Sequence, residues 1–317
     1  MGAALGLGQR GRGRTAPNPN VGCIITQHGR VIGRGWTQPG GRPHAEAMAL
    51  DQAGGDAAGA TLYTTLEPCA HVSPRGPACS DLIIAAKIAR VVIAVVDPDA
   101  RTCGLGIAAL EAAGVAVAQG AGADAARIGM AGFLTRQALG RPYVTLKLAA
   151  SIDGQIALAS GESKWITGPR ARAHSHGERA RHEAILVGRG TLAADAPMLD
   201  VRLAGLEARS PRRILLSSTG DAPPGWQVLR TPADVATLDA VNDVLVEGGA
   251  RTAAAFLAAD LVDRLLLYRA PIIIGAGKAA IGDIGLADLA SAHGRWRLDD
   301  QRMLGSDRLD VYHRTRG

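Results

Sequence analysis

The sequence predicts an α/β protein of two domains, each a sheet with parallel strand pairs covered by helices. Three observations predict it. Runs rich in β-branched residues alternate with helix-forming stretches along the chain, the pattern of strands joined by helical crossovers. The 317 residues, 47% of them hydrophobic, are enough for two domains with cores of ordinary size. A breaker, Gly140-Arg141-Pro142, follows a long helical stretch and divides the chain into domains at 1–142 and 143–317.

In the first domain, residues 3–9 read as a short helix. Residues 21–26 and 31–36 are β-rich runs around Gln27-His28-Gly29-Arg30, which predicts a hairpin. A helix is expected from His44, after Pro43, to Ala53, where Gly54-Gly55 stops it. Residues 61–66 form a strand that delivers Glu67-Pro68-Cys69, and Cys79 opens a helix over 80–89. A buried strand at 91–96, a helix at 105–113, a strand at 115–118 and one long helix over 123–139 complete the domain. In the second, strands are expected at 143–149, 184–188, 213–216 and from 244 onward, the last turning through Gly248-Gly249 into a helix over 253–259. Residues 261–268 and 271–275 close the sheet, and the tail forms two strands around Gly305-Ser306-Asp307.

Charge and cysteine usage narrow the function. A net charge of +6 suits nucleic acid or phosphorylated small molecules. Arg10, Arg12 and Arg14 form the only tight basic cluster and aromatics are 3% of residues, so a nucleic-acid role is not favoured. Four cysteines make no disulfide framework in a chain of this size, which points to a reducing cytoplasm. The apolar N-terminal run has its charges after it, and no segment approaches the roughly 18 apolar residues of a membrane span. A soluble, unexported protein with no membrane partner is expected.

The chemistry is concentrated between His44 and Cys79, in Pro43-His44-Ala45-Glu46, Glu67-Pro68-Cys69 and Gly76-Pro77-Ala78-Cys79. A catalytic zinc takes three N or S ligands and leaves its fourth position to water. His44, Cys69 and Cys79 supply such a set. Glu46, two residues along a helix from His44, points about 200° away from it, so it is free to act as proton carrier. This layout is the signature of zinc deaminases of bases, in which the Glu is acid/base and not a ligand. Two plainer readings stand beside it: a closed structural zinc site with His71 as fourth ligand, or a buried His and two core thiols without metal. Nine residues, not two, separate Cys69 from Cys79, a turn-rich loop carrying His71 and Arg75 that suits a polar or phosphorylated substrate. Asn18, in a Pro-Asn-Pro turn, is placed to meet a pyrimidine edge or to make the turn alone.

These segments, with Thr15-Ala16-Pro17-Asn18-Pro19-Asn20-Val21-Gly22-Cys23 and Arg-Gly-Pro before Cys79, resemble the bifunctional riboflavin-biosynthesis enzymes that join a pyrimidine deaminase to a reductase. The second half carries the resemblance in Ala150-Ser151-Ile152-Asp153-Gly154, in Gly161-Glu162-Ser163-Lys164-Trp165-Ile166-Thr167, in the run from Thr191 to Arg202, and in Val244-Leu245-Val246-Glu247-Gly248-Gly249-Ala250-Arg251-Thr252. The resemblance implies a cytidine-deaminase-like α/β/α sandwich followed by a dihydrofolate-reductase-like α/β domain. It also implies a few more residues ahead of the first helix, so the start reads as slightly truncated. Zinc and NADPH are the implied cofactors, and a homo-oligomer acting on a small phosphorylated pyrimidine is expected.

Carried over by position, the NADPH residues are Ala149, Trp165, Thr191, Asp195, Ser218, Gly249, Ala250, Arg251, Thr252, Ala253, Ala254 and Ala255. The substrate residues are Asn18, Lys147, Ser163, Arg179, Leu199, Arg202 and Glu247. Ala196 departs from the family, which usually has an acidic residue there. Arg179 and Arg202 are the cations to aim at a ribose phosphate, because a guanidinium grips phosphate oxygens in a two-pronged way. Glycines after the strand at 244 let backbone N–H groups approach a pyrophosphate at a helix start, though no G-x-G-x-x-G fingerprint exists. Arg251 and Lys164 are the candidates for reading a 2′-phosphate. Two other classes of function compete: a zinc deaminase of a nucleoside or tRNA base with an accessory nucleotide-binding domain, and a non-enzymatic zinc-stabilised nucleotide sensor.

Overall fold

Strand and helix alternate through each half of the computed structural model, which describes residues 1–71 and 73–316. Val72, in the loop between Cys69 and Cys79, and Gly317 lie outside the described residues. The chain divides into two units, Met1–Gly140 and Arg141–Gly317.

The first unit runs α1 (Gly2–Gly8), β1 (Gly22–Gln27), β2 (Arg30–Trp36), α2 (Ala45–Ala53), β3 (Thr61–Thr64), α3 (Cys79–Ala85), β4 (Arg90–Ile93), α4 (Leu105–Ala112), β5 (Ala116–Gln119), α5 (Ala123–Gly129) and α6 (Ala131–Leu139). Its sheet has the order β2-β1-β3-β4-β5, with β1 antiparallel to both neighbours and β3, β4 and β5 parallel. His28 and Gly29 both have positive φ, the tight turn that matches the twist of a hairpin. Cys23, Ile25, Leu62, Val91 and Ile93 point from the sheet into a core shared with Ala45, Ala49, Ile83 and Leu110. Helix α2 lies hard against β2 because Gly35 has no side chain: a Cβ there would come within 1.9 Å of the Ala45 carbonyl oxygen. That contact fixes where α2 begins, and His44 is its N-cap.

Two expectations need correction here. The helix over 123–139 is two helices, broken at Met130, whose φ and ψ of −113° and 20° leave the helical region. Asn20 Nδ2 donates to the Gly129 carbonyl at 3.1 Å, so this turn has a partner outside the helix. The helix over 80–89 stops at Ala85, because Lys87 takes the left-handed conformation that ends helices.

The second unit runs β6 (Tyr143–Ala150), β7 (Gln155–Ala157), α7 (Pro169–Arg179), β8 (Ala184–Gly188), α8 (Arg189–Asp195), β9 (Arg212–Leu216), β10 (Gln227–Leu229), β11 (Asp243–Val246), α9 (Ala250–Ala258), β12 (Arg264–Arg269), β13 (Lys278–Ala279), β14 (Trp296–Leu304) and β15 (Asp307–Arg314). Eight strands form one sheet in the order β10-β9-β8-β11-β6-β12-β15-β14, parallel up to β12 and antiparallel after it. The central β8, β11 and β6 are almost wholly apolar, as strands buried on both faces must be. Helix α9 starts three residues earlier than the expected 253, with Gly249 as its extended N-cap. Residues 271–275 are not a strand. The backbone N–H groups of Ile274 and Gly275 go instead to the Asp153 carboxylate, at 3.2 and 2.7 Å.

At the start of β11, Glu183 accepts the Asp243 and Asn242 N–H groups, at 2.8 and 3.2 Å. Burial first, then the neighbouring Asp243 charge, push its carboxyl up to about 8. An acid whose folded pKa is raised loses stability as pH climbs from its unfolded value to its folded one. Glu183→Gln is therefore expected to melt above the parent protein at pH 8 and level with it at pH 4.5, by calorimetry at both values.

Candidate active sites

Three ligand atoms meet where α2, β3 and α3 come together. His44 caps α2, Cys69 follows β3, and Cys79 is the first residue of α3. The Cys79 N–H donates to Cys69 Sγ at 3.3 Å, and Ser80 Oγ donates to the Cys69 carbonyl at 3.2 Å, which pins the Cys69 loop to the helix start. His44 Nδ1 lies 3.3 Å from Cys79 Sγ and 3.6 Å from Cys69 Sγ, and the three ligand atoms all lie within 4.8 Å of one another. Zinc–sulfur bonds of about 2.3 Å and zinc–nitrogen bonds of about 2.0 Å in a tetrahedron put donor atoms about 3.5 to 3.8 Å apart. The residues present fit a zinc ion. Among the described residues no fourth His, Cys, Asp or Glu joins the group, and His71 Nδ1 instead faces Thr102 Oγ1 at 3.4 Å. A hydrogen bond from Cys79 draws the Cys69 thiol down to about 4, while the same contact and burial push Cys79 up, as for two thiols sharing one proton.

Glu46 sits one step behind this group. It is 3% exposed, and its Oε1 accepts a 2.7 Å hydrogen bond from Thr64 Oγ1. Burial raises its pKa, while His44 and the Thr64 hydroxyl oppose the rise. A cavity of about 330 Å³ opens here, lined among others by Asn18, His44, Glu46, Cys69, His71, Arg75, Asp97, Asp99 and Arg101. The Asn18 amide lies 3.2 Å from His44 Nε2, so it orients the imidazole as well as facing the cavity. Sequence reasoning assigned no chemistry to Asp97 and Asp99, yet both line the cavity. Burial pushes Asp97 up to about 6, and hydrogen bonds from Arg101 draw Asp99 down to about 2. Thr64 was missed too, because nothing in a β-strand pattern marks which threonine will face a carboxylate. Glu67 accepts the N–H groups of Asp97, Gly104 and Ile107, which ties the Asp97 turn and the start of α4 to the strand carrying Cys69.

In the second unit the structure brings together Thr191 with Gly249, Lys164 with Asp195, and Lys147 and Arg179 with Glu247. A Cβ on Gly248 would fall 2.4 Å from Thr252 Cβ, so only glycine lets the β11–α9 turn close this tightly. Thr191 Oγ1 accepts the Gly249 N–H at 3.1 Å, joining α8 to that turn. A glycine turn opening a nine-residue helix fits the pyrophosphate of a dinucleotide. Ala250 and Arg251 stand in the first turn of α9, Thr252, Ala253 and Ala254 are buried behind it, and Ala255 is half-buried. Ala149 is half-buried near the end of β6. Asp195 pairs with Lys164 at 3.5 Å, the Arg172 guanidinium covers the exposed Trp165 ring at 4.7 Å, Ser163 is half-buried and Ser218 is exposed. Ala196 closes α8 with a φ of 40°.

Glu247 accepts hydrogen bonds from Arg179 Nε at 2.8 Å and Nη2 at 2.9 Å, with Lys147 Nζ at 3.7 Å. Burial pushes its carboxyl up, but Lys147 and Arg179 outweigh that and hold it at about 2. Arg179 Nη1 goes to the Asp200 carbonyl at 2.9 Å, so this guanidinium also joins Glu247 to the Asp200 turn. Arg202 remains exposed, 3.4 Å from the Asp200 carboxylate. Leu199, expected to touch substrate, is 3% exposed and packs with Ile185, Val187 and Leu245.

Two family models match the chain: the cytidine and deoxycytidylate deaminase zinc-binding region over residues 1–95, and the RibD C-terminal domain over residues 142–308. The riboflavin biosynthesis protein RibD of Escherichia coli K12 is 38% identical, the match covering 97% of this chain and 96% of the relative. This chain belongs to the RibD family. RibD from Mycobacterium tuberculosis H37Rv is 40% identical over 98% of this chain and 95% of its own. Among solved structures, RibD of Acinetobacter baumannii is 35% identical with a TM-score of 0.88, covering 100% of this chain and 98% of that one. A deaminase/reductase from Thermotoga maritima, described as acting on diaminohydroxyphosphoribosylaminopyrimidine and 5-amino-6-(5-phosphoribosylamino)uracil, is 31% identical with a TM-score of 0.89, covering 99% of this chain and 97% of that one. The RibD fold is a cytidine-deaminase-like domain followed by a dihydrofolate-reductase-like one, and the protein is a bifunctional enzyme of riboflavin biosynthesis with zinc and NADPH as cofactors. His44, Glu46, Cys69 and Cys79 all lie within the zinc-binding region.

Proposed function

We propose that the first unit hydrolytically removes the 2-amino group of 2,5-diamino-6-(5-phosphoribosylamino)pyrimidin-4-one, and that the second reduces the ribosyl group of the product to ribityl. The observation that carries the first half is the three-member His44–Cys69–Cys79 group with a buried carboxylate beside it on one cavity. His44, Cys69 and Cys79 would hold the zinc, whose bound form supplies a Lewis acid able to activate water at neutral pH. Glu46 takes the proton that water gives up as its oxygen bonds to C2, and delivers it to the amino nitrogen as the C2–N bond breaks and ammonia leaves. Its raised pKa suits a group that must hold that proton between the two events. Asn18 meets the pyrimidine edge, and His71, Arg75 and Arg101 at the rim face the phosphoribosyl arm.

In the second unit, Thr191 and the Gly249–Arg251 turn would hold the NADPH pyrophosphate, and the cofactor supplies the hydride. Lys147 and Arg202 face the substrate, with Glu247 held in place by Arg179. The chain would work in the cytoplasm as a homo-oligomer on a small phosphorylated pyrimidine rather than on nucleic acid. Its four cysteines are free, and no helix among the described residues is long and apolar enough to cross a membrane. The test is selective metal removal. Chelation should stop ammonia release from the diaminopyrimidine and leave NADPH oxidation on the deaminated intermediate unchanged, with zinc restoring the first. Ammonia release that survives complete loss of zinc rules the proposal out.

A further inference from the structure

The segment from the end of α8 to Arg202 is held in a conformation it would not keep alone. Ala196 and Leu199 have positive φ, 40° and 56°, without being glycine, and such residues persist only where neighbouring groups fix them. Leu199 is fixed by its buried side chain, and the Val201 N–H donates to Ser210 Oγ at 3.0 Å. The stretch from Asp200 to Arg202 is tied to α7 by two side chains one helical turn apart, His176 and Arg179. Arg179 Nη1 donates to the Asp200 carbonyl at 2.9 Å. His176 Nδ1 stands 3.1 Å from that carbonyl and 3.2 Å from the Arg202 backbone nitrogen.

One imidazole nitrogen cannot donate to the first and accept from the second at once. The Asp200 carbonyl already has Arg179, whereas the Arg202 N–H has no other acceptor among the described residues. Nδ1 therefore accepts, and the imidazole is neutral with its proton on Nε2. Its surroundings agree: burial first, then the Arg179 and Arg202 cations, pull the His176 pKa down, against the Asp200 carbonyl and Glu247. Arg202 has an exposed side chain, and its backbone decides from where that side chain reaches out. We propose that His176 is a positioning residue of the reductase site, holding the Arg202 backbone through Nδ1 so that the guanidinium is presented to the substrate. The inference rests on the reading of Arg202 as a substrate contact.

The test is steady-state NADPH oxidation by the full-length protein with the deaminated intermediate, giving kcat and KM for His176→Asn, His176→Gln and Arg202→Ala. The amide oxygen of Asn lies where Nδ1 does, and the polar end of Gln lies farther out, where Nε2 does. His176→Asn should keep the KM for the intermediate within about twofold of the parent, and His176→Gln should raise it about 3- to 10-fold, the weight of one hydrogen bond. In both, kcat and the KM for NADPH should match the parent. A role in α7 stability alone predicts the opposite ranking, because Gln is the better helix former. Equal KM values in the two variants, a higher KM for Asn than for Gln, or a fall in kcat with KM unchanged would overturn the inference. Arg202→Ala reports on the underlying reading and should raise the same KM at least as much as His176→Gln. If Arg202→Ala leaves KM unchanged, the reading of Arg202 as a substrate contact fails and the inference falls with it; if it raises KM while His176→Gln does not, only the inference falls.

Discussion

Glu46→Gln is expected to lower the rate of ammonia release by about two to four orders of magnitude, the usual contribution of a positioned acid/base. The amide keeps the size of the carboxyl and can still accept from Thr64, so zinc content and melting temperature should match the parent protein. NADPH oxidation with the deaminated intermediate should be unchanged, because Glu46 belongs to the first unit and the glycine turn to the second. The measurement is a pair of rates from one preparation with its zinc determined. Retention of more than a tenth of the deaminase rate would remove Glu46 from the proton path, and loss of zinc would make it part of the metal site instead.

The largest effect on stability is expected at Asp263. Its carboxylate accepts both Arg141 prongs, at 2.7 and 2.8 Å, and the Val144 N–H at 2.8 Å, and it also receives Arg316. The Asp263 side chain is 5% exposed and that of Arg141 10%. Removing one member of a buried pair leaves the other charge desolvated and alone, which costs about 3 to 5 kcal/mol. Asp263→Ala also orphans a backbone donor at the start of β6, the strand between β11 and β12. Urea unfolding of the second unit's transition should show that loss. A shift below about 1 kcal/mol would mean that solvent reaches the site freely and that Arg141 is compensated by water.

The alternation of strands and helices was readable because burial imposes its own period. Short, nearly unbroken apolar runs bounded by polar residues are what a strand covered on both faces requires, and the central Ala184–Gly188 and Asp243–Val246 segments became fully buried parallel strands. Local breakers were readable at Gly54 and at the His28-Gly29 turn, where the backbone leaves the conformations that helix and strand need. Where a distant group supplied a hydrogen bond, the sequence misled: Asn20 reaches Gly129 across 109 positions, and Asp153 takes the N–H groups of residues 274 and 275 that a strand would have used.

By itself the sequence determined the donor set, because zinc accepts few kinds of atom and His44, Cys69 and Cys79 are those kinds, with Glu46 beside them. Only the tertiary structure decided that the three converge without a fourth ligand among the described residues, that Thr64 holds Glu46, and that Arg179 pairs with Glu247. The reason is one of range. Ligand chemistry is a property of single side chains, whereas the partner a charged group ends with is set by whichever neighbour the packing of remote strands brings within about 3 Å, where hydrogen bonds form.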